Sequence, residues 1–176
     1  TRFGPRAIRQ ASASLAWCRP YAWDFDPLDR LHVIDYGDLY FDHGRPEHVP
    51  DAIRAQIATL LDANVLPLAL GGDHFVSYPI LQALATKHGP LSLIHFDAHS
   101  DTWNDEDGRI DHGTMFFHAA KQGIVDPSRS IQLGLRTFNA ETHGFDVRDA
   151  NWMHAQGIAA TIAAIRERVG TNRCYV

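Results

Sequence analysis

The sequence predicts an α/β fold of three layers, in which helices cover both faces of a mainly parallel sheet. Short apolar runs alternate along the chain with segments of helical periodicity, which is the order expected of strand–helix units. The chain of 176 residues is long enough to bury one hydrophobic core. We therefore expect a single domain over residues 1–176.

The first strand–helix unit is predicted between residues 31 and 61. Residues 31–35, Leu-His-Val-Ile-Asp, predict a short buried strand that ends before Gly37. Pro50 predicts the start of the helix that follows, because proline favours the first turn. Apolar residues at helical spacing continue this pattern to Leu61.

The remaining elements follow by the same reasoning. Glycines or prolines bound each of them, as is typical of the ends of helices and strands. The predicted elements are a strand at 65–70 ended by Gly71 and Gly72, a helix at 77–87, strands at 91–96 and 130–135, a helix at 155–169 closed by Gly170, and a strand that begins at 173–176.

Composition excludes several classes of protein. A net charge of -5 with scattered basic residues argues against a nucleic-acid partner. No apolar run approaches the roughly 20 residues of a membrane span, and no apolar stretch follows the N-terminal residues, so we expect a cytoplasmic location and no membrane partner. Cys18 and Cys174 are too few and too far apart for a disulfide framework or a zinc site.

Chemistry-bearing residues follow two of the predicted strands. Residues 71–74 read Gly-Gly-Asp-His, and residues 97–101 read Asp-Ala-His-Ser-Asp. In open α/β sheets, ligands bind beyond the carboxyl ends of the strands. Alternate spacing directs Asp97, His99 and Asp101 to one side, but a straight strand would separate the first from the third by about 13 Å. The segment must therefore curl or serve neighbouring ions.

Carboxylates mixed with imidazole, without a thiolate, favour a fairly hard divalent ion. This set favours manganese over structural zinc and leaves magnesium, iron and catalytic zinc open. Asp97 could bridge two ions about 3.5 to 4 Å apart, with His74 completing one ion and His99 the other. The alternative is that Asp97 and Asp101 cap the following turn while His99 hydrogen-bonds locally.

Two further histidines lie near these motifs. His95 is on the predicted strand two residues before Asp97, and we expect it to be buried and hydrogen-bonded. His112 follows a long acidic stretch, where a mobile imidazole could exchange protons with solvent.

Three motifs, read together and in order, resemble those of the ureohydrolases, the family of arginase and agmatinase. They are Gly-Gly-Asp-His at 71–74, His-Phe-Asp-Ala-His-Ser-Asp at 95–101 and Asp-His-Gly-Thr-Met-Phe at 111–116, and within the family they look most like agmatinase. Residues 2–9 are similar to the end of the family's glycine-rich N-terminal segment. The resemblance implies an arginase-like fold and hydrolysis of a small cationic guanidino substrate, agmatine, to putrescine and urea in polyamine biosynthesis.

The resemblance also implies a role for each residue. His74 and Asp101 correspond to ligands of one Mn²⁺ ion, His99 to a ligand of a second, and Asp97 to a bridge between them. Asp101 is further implied as a proton relay and His112 as a proton shuttle. Members of the family assemble as trimers or hexamers, so a homo-oligomer is implied as well.

One feature of the family pattern is missing. A second pair of metal-binding aspartates, in an Asp-x-Asp motif, is expected beyond Val176, so we expect a fragment that lacks both ends, covers about the first two-thirds of a ureohydrolase and has a sheet incomplete at its C-terminal side. Alone, it should bind Mn²⁺ weakly and hydrolyse nothing measurable. The alternatives are another ureohydrolase (guanidinobutyrase, arginase or formiminoglutamase), or a non-catalytic metal-binding or oligomerisation module if the chain ends at Val176.

Overall fold

The computed structural model describes residues 2–15, 19–104 and 107–176. Helices and strands alternate through most of this part of the chain. The α-helices are α1 (Gly4–Ser12), α2 (Pro27–Arg30), α3 (Val49–Asp62), α4 (Ser77–His88), α5 (Met115–Lys121) and α6 (Ala150–Val169), and 3₁₀ turns lie at Pro46–His48, His74–Val76 and Pro127–Arg129.

The described strands form one parallel sheet. They are β1 (Ser92–Phe96), β2 (Ile131–Leu135), β3 (Asp146–Asp149) and β4 (Cys174–Tyr175), in the spatial order β3-β2-β1-β4. Every pairing between neighbours is parallel, and in the central pair His95 lies opposite Gln132. The carboxyl ends of β1 and β2 therefore meet at the same edge of the sheet.

Side chains alternate along a strand, so this sheet presents apolar residues on both of its faces. Helices cover both faces. On one face, Leu93 packs with Met115 and Phe116 of α5 and with Leu81 of α4. On the other face, the cluster that contains Ile94 packs against α6. A further cluster joins α3 to α4. This arrangement confirms the predicted three-layer fold with a mainly parallel sheet.

The predicted helices at 50–61 and 77–87 and the strands at 91–96, 130–135 and 173–176 are confirmed within a few residues. The last helix begins earlier than predicted, at Ala150, because the side chain of Asp149 accepts a hydrogen bond from the backbone N–H of Trp152 and caps it. Gly157 has φ +78 inside this helix and kinks it.

Two of the predicted strands are wrong. Residues 31–35 and 65–70 have no regular secondary structure, and their apolar side chains are largely exposed. A strand needs a neighbour to accept and donate its backbone hydrogen bonds, and no described segment pairs with either run. Pro67 also lacks the N–H that an interior strand would use.

Two smaller predictions concern membrane spans and cysteines. No described helix combines the length and the apolar character needed to cross a membrane. Cys174 is exposed and unbridged, whereas Cys18 lies outside the described residues.

Candidate metal centre

His74 is presented by the tight connection before α4. The side chain of Asp73 accepts a hydrogen bond from the backbone N–H of Phe75 at 3.0 Å and caps the 3₁₀ turn that begins at His74. Gly71 is needed here because a Cβ atom at this position would lie 2.9 Å from the Val76 side chain. This connection therefore aims His74 at the end of β1.

The segment after β1 curls back over the end of β2. The Asp97 carboxylate accepts the backbone N–H of His99 at 2.9 Å, and the carbonyl of Ala98 accepts the N–H of Arg136 at 2.8 Å. Asp101 then adopts the left-handed conformation, with φ +52. The curl expected from the motif spacing is present, since Asp101 turns back toward Asp97 instead of continuing an extended strand.

Four side chains converge at this edge: His74, His95, Asp97 and Asp101. One ligand atom from each lies within 4.8 Å of all the others. Nδ1 of His74 is 2.8 Å from Oδ2 of Asp101 and 3.5 Å from Oδ2 of Asp97. Nε2 of His95 is 3.6 Å from the same Asp97 oxygen. The turn before α4 and the end of β1 thus supply a single compact cluster.

The two carboxylates make the cluster attractive to a cation. Burial disfavours the charged form of His74, but the hydrogen bond and the charge of Asp101, helped by Asp97 and Asp73, outweigh it and raise the pKa of His74. Burial also opposes ionisation of Asp97, yet the N–H of His99 and the nearby His95 and His74 lower its pKa. A proton and a metal ion would therefore compete for the side chains of His74 and Asp97.

His95 differs from His74 in its surroundings. Only 4% of it is exposed, and its ring lies 4.7 Å from the ring of Phe116. Burial, with the charge of His74, lowers the pKa of His95 to about 4. The ring is therefore neutral at pH 7, as its predicted buried position suggests.

The remaining predicted site residues, His99 and His112, lie at the rim. Nδ1 of His99 is 3.3 Å from Oδ1 of Asp97, whereas His74 and His95 lie nearest to its Oδ2. Nδ1 of His112 is 3.5 Å from Oδ2 of Asp73, and both side chains are exposed. Asp97 therefore has histidines on both of its oxygens, which suits a shared carboxylate, and the roles of His99 and His112 stay predictions.

Two supporting residues were missed from the sequence. Gln132 of β2 is fully buried and donates to the Ser100 carbonyl at 2.6 Å, and Asn139 donates to the hydroxyls of Ser100 and Thr102, both at 3.1 Å. Together they hold the residues on either side of Asp101. For Gln132, its place inside an apolar strand could have indicated this role, because a buried amide is normally hydrogen-bonded.

The residues present fit a divalent metal. Carboxylate oxygens and imidazole nitrogens converge at this edge of the sheet, with ligand atoms within 4.8 Å of one another. Such a set suits Mn²⁺, Fe²⁺ or catalytic Zn²⁺ better than a structural zinc, which prefers thiolates. Chemically, the cluster can hold a cation and present a carboxylate beside it.

Comparison with known proteins agrees with this geometry. The sequence model of the arginase family matches residues 1–176. An agmatinase of Chromobacterium violaceum is 47% identical over 177 residues, which cover 99% of this chain and 55% of that protein. An agmatinase of Proteus mirabilis is 44% identical, over 100% of this chain and 58% of that protein.

Solved structures give the same result. A hypothetical agmatinase from Burkholderia thailandensis superposes with a TM-score of 0.94 at 48% identity, over 98% of this chain and 56% of that one. Proclavaminate amidino hydrolase from Streptomyces clavuligerus superposes with a TM-score of 0.88 at 34% identity, over 99% and 59%. The chain spans little more than half the length of these relatives, less than the two-thirds expected. The chain belongs to the arginase family.

Proposed function

We propose that this chain carries part of the metal centre of a hydrolase that cleaves agmatine to putrescine and urea. The observation that supports this most is the convergence of His74, from the 3₁₀ turn before α4, with Asp97 and Asp101, from the end of β1, in a chain 47% identical to an agmatinase. Because the chain spans 55% to 58% of such relatives, the activity is proposed for the gene product that contains it.

Two Mn²⁺ ions are the proposed cofactor. His74 and Asp101 would hold one ion and His99 the other, with Asp97 shared between them. The position of Asp97 supports this assignment, since its Oδ2 faces His74 and its Oδ1 faces His99 at 3.3 Å. When bound, such ions would lower the pKa of water and so supply a nucleophile near neutral pH.

The protein's own residues would then manage protons. A guanidinium is planar, cationic and stabilised by resonance, so water attacks it slowly. After attack the amine leaves only once it has gained a proton, because an amine anion is a poor leaving group. Asp101 is the proposed relay, because its carboxylate is buried and hydrogen-bonded to His74 at 2.8 Å. His112 is the proposed shuttle, since its exposed imidazole beside Asp73 can exchange protons with solvent.

A second candidate is hydrolysis of another amidino compound. The 34% identity to a proclavaminate amidino hydrolase over 99% of this chain supports it, because the same cluster could serve different substrate tails. Agmatine carries an ammonium at its far end, whereas arginine and guanidinobutyrate carry a carboxylate. A substrate panel therefore separates these candidates.

Release of urea tests the proposal directly. The gene product that contains this chain, loaded with Mn²⁺, should release urea from agmatine faster than from arginine or guanidinobutyrate. Asp101→Asn should lower kcat by about 100-fold or more, as loss of a proton-transfer group typically does. Asp51→Asn, which changes an exposed carboxylate on α3, should leave the rate unchanged.

Three outcomes would count against the proposal. A clear preference for arginine or guanidinobutyrate would replace agmatine with another substrate. Metal binding without release of urea from any of them would favour the non-catalytic module. Full activity of Asp101→Asn would remove Asp101 from the chemistry.

A cytoplasmic location and a trimeric or hexameric assembly belong to the same proposal and are measured by fractionation and by light scattering.

A further inference from the structure

Gln132 and His95 face each other across the two central strands. They are directly opposed in the register of β1 and β2, and each is less than 5% exposed. Nε2 of Gln132 lies 2.6 Å from the carbonyl oxygen of Ser100 and 3.2 Å from Nδ1 of His95. One amide nitrogen thus contacts two groups.

The carbonyl of Ser100 fixes which way this amide points. A carbonyl oxygen only accepts hydrogen bonds, so it must face the NH₂ group of Gln132. If the amide were reversed, its oxygen would lie 2.6 Å from another oxygen, and the hydrogen bond would be replaced by repulsion. The NH₂ orientation is therefore preferred even though Oε1 of Gln132 has no partner among the described residues.

The orientation of the amide determines where His95 carries its proton. The second N–H of Gln132 faces Nδ1 of His95, which must therefore accept it. In a neutral imidazole the other nitrogen then carries the hydrogen. That nitrogen, Nε2, is buried and has no hydrogen-bond partner in the described part of the chain, and an oxygen of Asp97 lies 3.6 Å away.

We propose that Gln132 holds His95 in its Nε2–H form, so that His95 is a neutral hydrogen-bond donor to the Asp97 carboxylate and not a metal ligand. A ring nitrogen that carries a proton has no lone pair to give to an ion. The gap of 3.6 Å between Nε2 and Oδ2 of Asp97 is longer than a hydrogen bond, so the proposed bond requires these two atoms to move closer together. His95 is thus a positioning residue, whose importance for metal binding rests on the proposed function.

The tautomer can be measured without metal or substrate. Long-range correlations between ring protons and ring nitrogens, in protein with ¹⁵N-labelled histidine, report which nitrogen is protonated. We expect His95, assigned by loss of its signals in His95→Gln, to be protonated at Nε2. Protonation at Nδ1 in the unsubstituted protein would overturn the proposal, whatever happens to any variant.

A variant pair tests the role of Gln132. Gln132→Met keeps the shape and removes the donor, so the His95 signals should shift toward a mixture of tautomers. Gln156→Met makes the same change at an exposed position of α6 and should leave them unaltered. Unaltered His95 signals in a folded Gln132→Met protein would contradict the assigned role.

The Mn²⁺ affinities of two His95 variants show whether His95 acts as a hydrogen-bond donor or as a metal ligand. In a competition titration with Mn²⁺, His95→Gln, which keeps an N–H close to the position of Nε2, should bind within about threefold of the parent, whereas His95→Leu should lose about 10-fold to 100-fold, as outer partners of metal sites do. Equal and large losses in both variants would make His95 a ligand. Absence of binding by the parent would instead contradict the proposed function, while the tautomer measurement would still decide this inference.

Discussion

Residues 131–135 and 65–70 are similar in sequence and different in surroundings. Both are short apolar runs, and both were predicted to be strands. Ile131 and Leu133 are completely buried between two paired strands, whereas Leu66 and Leu68 are 92% and 88% exposed. The difference shows that an apolar run becomes a strand only where a neighbouring strand pairs with its backbone.

The segment after β1, which carries Asp97 and Asp101, differs in the same way from residues 31–35. The curl after β1 is held by backbone bonds to the end of β2 and by the buried Gln132. By contrast, residues 31–35 are connected mainly through exposed ion pairs between Arg9 and the carboxylates of Asp35 and Asp38. Exposed ion pairs contribute little to stability, so we expect the two regions to respond very differently to substitution.

The largest difference is expected for matched leucines. Leu133→Ala removes a fully buried side chain and should lower the free energy of unfolding by about 2–5 kcal/mol. Leu68→Ala, at an exposed position, should change it by less than about 0.5 kcal/mol. Urea titration followed by circular dichroism measures both values. Similar losses in the two variants would mean that residues 65–70 are packed in solution.

A smaller difference is expected for two glycines with nearly the same backbone angle. Gly134 has φ +87 at the bulge of β2, and Gly37 has φ +88 after residues 31–35. An alanine in this conformation costs about 1–2 kcal/mol where the backbone is held in place. Gly134→Ala should therefore show this loss on urea titration, whereas Gly37→Ala should show less because its segment can relax. A larger loss for Gly37→Ala would reverse the comparison.

The elements predicted correctly are those in which sequence pattern and burial agree. The apolar face predicted for α3 is buried at Ile53, Ile57 and Leu61, and the run at 91–96 is the central strand. β3 was missed because Asp146–Asp149 reads Asp-Val-Arg-Asp and owes its strand conformation to pairing with β2. α1 was also missed, and none of its residues is buried.

The site was predictable as a set of ligand types and strand ends but not as a geometry. The motif spacing anticipated the curl that brings Asp101 back toward Asp97. It did not indicate that His95 would face Gln132, because the register between two strands cannot be read from either strand alone. The hydrogen bonds of the supporting amides could therefore be identified only from the structure.

Direct measurement of Mn²⁺ binding tests the central claim, that His74 and Asp101 hold a metal ion. In competition titrations of the gene product that contains this chain, Asp101→Asn and His74→Gln should each weaken binding by about 100-fold or more, beyond the range typical of outer partners. Asp51→Asn and His48→Gln, both exposed at the start of α3, should bind like the parent. Equal affinity in all five proteins would contradict the account.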